Sequence, residues 1–503
     1  MKSQTRVLQK FARGAVVTAF LVLVGCGSNG SSNPATTIST GPYVPTGFNW
    51  KACDDSGSTT TVQCSTLQVP FDYNNPSAGT FTLYVKLLPA ANPTLRIGSM
   101  MVNPGGPGFG GSSLADDASY YFSSDITDHF DIIAWDPRGT GKSTPAIDCV
   151  DDYDEYFGID SPPDSPEEKQ ALIDASQAFN DECMANSGEI LPYISTQASA
   201  TDMNSIRQAL GEDKISYFGF SYGSELGATW ATMFPQTVRA AVFDGAVDPQ
   251  ATSSQEGMAQ AGGFEGQLTT FLATCSKNNA CAFYNGGKAE AAFDSLLLAL
   301  DAKPLVVSAD RTPVTQGVAF TAVSQAMYSD SYWSQLEQAL ADAQQGDGSG
   351  LLKLYDDYYQ RQEDGSYGNE LEAFLAISCL DDPGSTSIKE VEDAVPDFVA
   401  AAPRLGANFG YGYSCALWPV EPAIKIDVTG KGAGPIVVIG TTGDPATPLA
   451  STRKMAAALE QGVLLIVEAN QHTGYGANEC INTAVDSYLI DLTVPVSETT
   501  CKS

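Results

Sequence analysis

Histidine is nearly absent: the 503 residues contain two, His129 and His472. No Cys-x-x-Cys pair occurs. A zinc site is therefore not expected, nor is another metal or cofactor. Basic residues are scarce, with 26 Lys+Arg against 59 Asp+Glu and a formal net charge of −33. A surface of that sign cannot displace counterions from phosphates, which excludes nucleic acid as a partner. It has no attraction for anionic lipid either. The apolar run near the N-terminus, Ala15 to Val24, is ten residues long. A membrane-spanning helix needs about 20. The composition is still that of a folded protein, with 43% hydrophobic residues, too many for a disordered chain.

That short run follows Lys2, Arg6, Lys10 and Arg13 with no acidic residue among them, the pattern of a signal-peptide core. Leu23-Val24-Gly25-Cys26 then resembles the bacterial lipobox, in which the cysteine is lipid-modified and becomes the mature N-terminus. Residues 1–25 thus read as a lipoprotein signal peptide. Residues 26–48, rich in Gly, Ser, Asn, Thr and Pro, read as a flexible tether. The expected location is the outer face of the cell envelope, or the medium, with the lipid on Cys26 the one link to a membrane. Setting Cys26 aside leaves ten cysteines, an even number that suits a disulfide framework in an exported chain. Sequence does not dictate their pairing. Nearest-neighbour bridges, each closing a local loop, are expected: Cys53–Cys64, Cys149–Cys183, Cys275–Cys281, Cys379–Cys415 and Cys480–Cys501.

Beyond residue 50 the hydrophobic pattern alternates between strand and helix. Thr80 to Leu87 alternates polar and apolar residues, as an antiparallel or edge strand does. Ser99–Asn103, Phe130–Trp135, Ile215–Phe220 and Arg239–Phe243 are short apolar runs that read as buried parallel strands. Helices are predicted over 202–210, ended by Gly211, and over 224–234. From about 251 to 410 helical spacing takes over, at 255–275, 288–300, 332–345, 351–361 and 370–377. Strands return at 435–440 and 463–468 with a helix over 450–459 between them. The prediction is an α/β fold, a doubly wound and mostly parallel sheet. Its core spans 49–250 and 411–503, and a helical cap is inserted at 251–410.

The chemistry falls at strand ends. Gly219-Phe220-Ser221-Tyr222-Gly223 follows a strand and opens a helix, the Gly-x-Ser-x-Gly nucleophile-elbow pattern. A serine hydroxyl needs a base. His129 precedes a strand, at the wrong edge of the sheet. His472 follows strand 463–468, at the carboxyl edge where α/β sites gather, and is the candidate base. Its orienting carboxylate is expected to be Asp444, after strand 435–440; Asp244 and Asp248, after strand 239–243, are the alternatives. The order Ser221, Asp444, His472 is the nucleophile–acid–base order of α/β hydrolases. Oxyanion donors are expected from the Tyr222 N–H and from Gly105 or Gly106 in the loop Asn103 to Gly111. That loop is not a phosphate cradle, because no Gly-Lys-[Ser/Thr] follows it. Gly139-Thr-Gly-Lys-Ser143 lacks the first glycine of a P-loop and opens no helix.

Taken together, Asn103-Pro-Gly-Gly-Pro-Gly108, Trp135-Asp-Pro-Arg-Gly-Thr-Gly141, the elbow, Asp244-Gly with Asp248-Pro249, and Gly443-Asp-Pro-Ala-Thr-Pro448 resemble the tripeptidyl-aminopeptidase-like branch of the α/β hydrolases. That branch is related to the proline iminopeptidases and comprises exported bacterial serine peptidases. The resemblance covers about 50–250 and 410–490. It implies a triad of Ser221, Asp444 and His472 that cleaves through an acyl-enzyme. An exopeptidase must also recognise a free N-terminal ammonium, for which Asp381, Asp382 and Glu225 are candidates. Three readings stay open: an exopeptidase releasing short peptides, a carboxylesterase of the same fold, and a non-catalytic surface protein on a hydrolase scaffold. The substrate is accordingly a peptide or an ester, and the oligomeric state is undecided.

Overall fold

The computed structural model describes residues 43–53 and 61–502. The proposed signal peptide, Cys26 and the tether up to residue 42 lie outside them. Ten strands form one sheet: β1 (Lys51–Ala52), β2 (Gln63–Asp72), β3 (Asn75–Leu88), β4 (Gly98–Asn103), β5 (Phe130–Trp135), β6 (Ile215–Phe220), β7 (Val238–Asp244), β8 (Ile436–Thr441), β9 (Gly462–Glu468) and β10 (Thr499–Lys502), in the order β1-β2-β3-β5-β4-β6-β7-β8-β9-β10. From β5 to β10 every pairing is parallel, while β1, β2 and β3 add an antiparallel edge. The runs predicted as parallel strands are buried along their length: all six residues of β4, β6 and β8 are shielded. That is why they read as continuous apolar stretches. Between β4 and β6 the winding reverses, and a ligand cleft forms at such a switch point.

The predicted helices are present with small shifts of their ends. Thr196–Leu210 stops where Gly211 adopts a left-handed conformation, φ 75°, the usual glycine stop. Among the described residues, four helices of ten or more residues were not predicted. Pro166–Ser187 begins with a capping box between Ser165 and Glu168 but buries only Phe179, Asn180, Cys183 and Ser187, so it shows no apolar stripe. Gln316–Met327 is buried on almost every side, which removes the amphipathic period. Ile388–Ala401 carries Pro396 within it. Glu479–Asp491 lies beyond the last predicted strand.

Between β7 and β8 the helices Ser253–Lys277, Ala289–Ala302, Gln316–Met327 and Trp333–Ala343 surround an apolar core of their own, with Phe264, Leu268, Phe293 and Phe320 at its centre. The helix Glu370–Asp381 differs. Its Ala373, Ala376, Ile377 and Leu380 join the core of the sheet side, so this part of the 251–410 segment packs on the sheet. The described residues include all five expected disulfides, Cys53–Cys64, Cys149–Cys183, Cys275–Cys281, Cys379–Cys415 and Cys480–Cys501. No helix among them is long and apolar enough to cross a membrane.

One buried ion pair ties the first half of the sheet to its helices. Arg138 is fully buried and donates from Nε and Nη2 to Asp202 at 2.7 and 2.6 Å. Its remaining N–H groups reach the carbonyls of Phe71, Tyr193 and Pro70. Removing one partner leaves the other charge buried and uncompensated. Asp202→Ala is therefore expected to lower folding stability by about 3–5 kcal/mol. The check is a lower denaturant midpoint at constant slope.

Candidate active site

Ser221 sits between β6 and the helix Gly223–Met233 with φ +54°, a left-handed conformation that non-glycine residues rarely hold. The two flanking glycines permit the turn. A Cβ on Gly219 would strike the Gly223 carbonyl, and one on Gly223 would lie 2.9 Å from Asn103 Oδ1. The Ser221 N–H donates to the Asp244 carbonyl at 2.7 Å, fixing the turn against β7. The serine is thereby presented at a helix N-terminus, where backbone dipoles favour developing negative charge.

His472 lies past β9, and its Nδ1 is 2.8 and 3.0 Å from the Asp444 oxygens. Asp444 follows β8 and is buried. Its Oδ1 also accepts from the N–H groups of Ala446 (3.0 Å) and Thr447 (2.8 Å), and its Oδ2 from Thr447 Oγ1 (2.9 Å). The carboxylate is thus fixed in place and remains an acceptor. Nε2 of His472 is buried and has no hydrogen-bond partner among the described residues, which leaves it to accept a proton. Burial pulls the imidazole pKa down, but the charge and hydrogen bond of Asp444 outweigh it, with Asp244 adding, and the net direction is up from 6.5. Of the two alternative acids, Asp244 faces the histidine loop without touching Nδ1, and Asp248 is paired with Lys454 at 2.8 Å. His129 ends the short helix before β5 and bonds the Asp125 carbonyl through Nδ1 at 2.6 Å, at the opposite edge of the sheet.

On the oxyanion side, a Cβ on Gly105 would lie 2.9 Å from Ser221 Cβ, so the glycine loop closes directly over the serine. The Gly105 N–H is already engaged by Asn103 Oδ1 at 2.9 Å. The N–H groups of Gly106 and Tyr222 have no such partner among the described residues. Of the two glycines, Gly106 is the one with a donor to offer.

Ser221, Tyr222 and Gly106 border a cavity of about 270 Å³ whose walls carry Glu225, Asp248, Glu256, Asp381 and Asp382 against Lys425. The three predicted carboxylates are all there, with Asp248 and Glu256 in addition. Their hydrogen bonds separate them. Asp381 accepts from the Thr196 N–H and from Thr196 Oγ1, and Thr196 Oγ1 in turn meets the Tyr222 hydroxyl. Asp382 accepts from the N–H groups of Ser253 and Gly384. Asp248 holds Lys454 and the Gln250 N–H. Glu225 has Lys425, 3.8 Å away, as its ion-pair partner among the described residues, and Glu256 keeps one buried oxygen without a partner. Burial pushes the carboxyl pKa of Glu256 up to about 7, helped by the Asp248 charge. Burial also drives Asp381 up to about 7 against its Thr196 hydrogen bonds, and raises Glu225.

Three contributors carried no signal strong enough to single out in the sequence: Thr447, Glu256 and Tyr328. The Tyr328 carbonyl accepts the His472 N–H at 2.8 Å, and its ring meets the imidazole edge-on at 5.6 Å. Thr447 stands three residues after Asp444, where an Asx turn places it; that spacing was the one available hint.

An imidazole held by a buried carboxylate and a serine strained into a turn, both at the carboxyl edge of one parallel sheet, are the equipment for acyl transfer to serine. The chain belongs to the alpha/beta hydrolases: the model of the alpha/beta hydrolase fold matches residues 98–475. It is a hydrolase. Serine protease Hip1 of Mycobacterium tuberculosis is 33% identical over 97% of this chain and 96% of its own length. Carboxylesterase B of the same species is 34% identical, covering 92% and 91%. Tripeptidyl aminopeptidase of Streptomyces lividans is 30% identical, covering 90% and 86%.

Proposed function

We propose that this chain is an exported serine exopeptidase that releases short peptides, tripeptides among them, from free N-termini. The observation that carries the reading is the carboxylate-walled cavity opening beside Ser221. Acids outnumber the basic groups there, which attracts an ammonium, while Val247 and Phe374 leave apolar wall for a side chain. Glu225 and Glu256, the two with unfilled acceptor capacity, are the ammonium ligands. Asp381 and Asp382 shape the wall. A cavity of about 270 Å³ lies below the roughly 300–1,000 Å³ usual for ligand sites, room for a few residues and not an extended chain. Kinship to a tripeptidyl aminopeptidase and a serine protease supports the same class. The helices between β7 and β8 act as the cap that closes the cavity. The signal pattern and five disulfides support export, with lipid on Cys26 as the anchor.

In the proposed reaction His472 Nε2 takes the Ser221 proton as Oγ attacks the scissile carbonyl. Asp444 holds the proton on Nδ1 and balances the imidazolium, while the oxyanion lies against the Tyr222 and Gly106 N–H groups. The imidazolium returns its proton to the leaving amine. Water, activated by the same nitrogen, then hydrolyses the acyl-enzyme and frees Ser221.

The test compares three substrates: a tripeptide p-nitroanilide with a free N-terminus, its N-acetylated form, and a short-chain p-nitrophenyl ester. Cleavage of the free peptide far above the blocked one is expected. Ester turnover alone would give the site to the carboxylesterase reading, which kinship to carboxylesterase B supports. Silence on all three would leave the scaffold reading. Glu225→Gln and Glu256→Gln are each expected to lower kcat/KM for the free peptide about 10- to 100-fold, the worth of a charge-assisted hydrogen bond, and to spare the ester. The same chemistry sets a pH dependence. Glu256, with its pKa near 7, is charged above that pH and neutral below it. KM for the free peptide should therefore rise as pH falls through 7, and KM for the ester should not.

A further inference from the structure

Asp244 remains unexplained by the reaction above. It ends β7, is fully buried, and has no lysine or arginine partner among the described residues. A buried carboxylate without a cation is unfavourable, and burial raises its pKa to about 7 against two backbone hydrogen bonds. Those bonds come from the histidine loop: Gly474 N–H to Oδ1 at 2.7 Å and Tyr475 N–H to Oδ2 at 2.8 Å. The carbonyl of the same residue accepts the Ser221 N–H at 2.7 Å. A Cβ on the next residue, Gly245, would lie 3.0 Å from His472 Cε1. Between His472 and Gly474, Thr473 is held at φ +69°, a strained conformation for a β-branched residue that survives only where its neighbours impose it.

We infer that Asp244 is a positioning residue that holds base and nucleophile in register, its carboxylate fixing the His472 loop and its carbonyl fixing the Ser221 turn. One residue thereby joins two segments that approach the reacting carbonyl from different strands. The groups facing the imidazole are Asp444 from the end of β8, Asp244 from the end of β7, and the Tyr328 ring from the inserted helices. Asp244 supplies the second negative charge toward the imidazolium that forms in the transition state. An amide cannot replace it: asparagine accepts on one oxygen only, so one loop N–H would face another donor.

The inference rests on Ser221 and His472 acting as nucleophile and base. The experiment is Asp244→Asn in the whole enzyme, assayed with whichever of the p-nitroanilide or the ester is turned over, beside Ser221→Ala. Expected are a kcat lower by about 10- to 100-fold, as for a small misplacement of reacting groups, and KM within about twofold. The midpoint of the acidic limb should move to lower pH, because removing a negative charge makes the imidazolium less stable. An unchanged kcat, or a lowered melting temperature with the midpoint in place, overturns the inference and leaves Asp244 a packing residue. Should the variant not fold, hydrogen exchange on the unaltered protein decides. Protected Gly474 and Tyr475 amides support the inference, and rapidly exchanging ones overturn it. Turnover that survives Ser221→Ala would instead sink the triad itself, so the two failures are told apart.

Discussion

Ser221→Ala is expected to lower kcat by on the order of 10⁴- to 10⁶-fold, leaving what oxyanion donors and binding alone provide. Alanine at 221 keeps the Cβ and so keeps the left-handed strain of φ +54°. It also keeps the N–H bonded to the Asp244 carbonyl. Little in the fold should change, and the melting temperature should stay within about a degree or two, as surface-like, contact-neutral changes do. Loss of turnover at constant stability then reports chemistry and not collapse. KM for the free peptide should move little, since the cavity carboxylates are untouched. The measurement is steady-state turnover at enzyme concentrations high enough to see a 10⁶-fold loss, with a serine-directed phosphonate as a second readout. Labelling that persists at full stoichiometry in the variant would place the nucleophile elsewhere.

The sheet and the elbow were legible because their signals are local. Parallel strands shielded on both faces are mostly apolar, and β4, β6 and β8 are buried along their whole length. At the Ser221 turn the need for Gly219 acts over five residues, since a Cβ there would strike the Gly223 carbonyl. Strand ends then ordered the candidate triad, since of the two histidines only His472 follows a strand. What the sequence concealed depends on contacts between distant segments. Glu256 lines the cavity because the helix Ser253–Lys277 begins over it. Nothing at 256 itself distinguishes it from the 58 other acidic residues among the 59. Asp381 and Asp382 were candidate ammonium ligands, yet the packing of Glu370–Asp381 on the sheet side turns Asp381 toward Thr196. Asp244 was visible as a candidate acid. Its true neighbours are backbone amides about 230 residues further along the chain, and no spacing rule reaches that far.

Asp444→Asn should rival the loss of the serine, lowering kcat by about 10⁴-fold with the fold intact. The asparagine oxygen will take the place of Oδ1, because the Ala446 and Thr447 N–H groups both donate there. The amide nitrogen then occupies the Oδ2 position, facing His472 Nδ1 and Thr447 Oγ1. Nδ1 keeps an acceptor at the Oδ1 position, 2.8 Å away, but the amide nitrogen now stands as a donor 3.0 Å from it and the negative charge that balances the imidazolium is gone. Thr447→Val is the milder relative. It deprives Oδ2 of one donor while leaving the acid charged, and a loss of about 5- to 10-fold is expected, the worth of one hydrogen bond. The pH profile separates these effects. In the unaltered enzyme His472 must be neutral to act, and its pKa lies above 6.5, so kcat/KM falls as pH drops through that raised value. Without the Asp444 charge the imidazolium loses its main support, and the midpoint of whatever activity remains should shift to lower pH, further than in Asp244→Asn. A midpoint that stayed in place while kcat fell would mean that Asp444 does not set the charge of the base, and the partner of His472 would then have to be Asp244, the other carboxylate facing its loop.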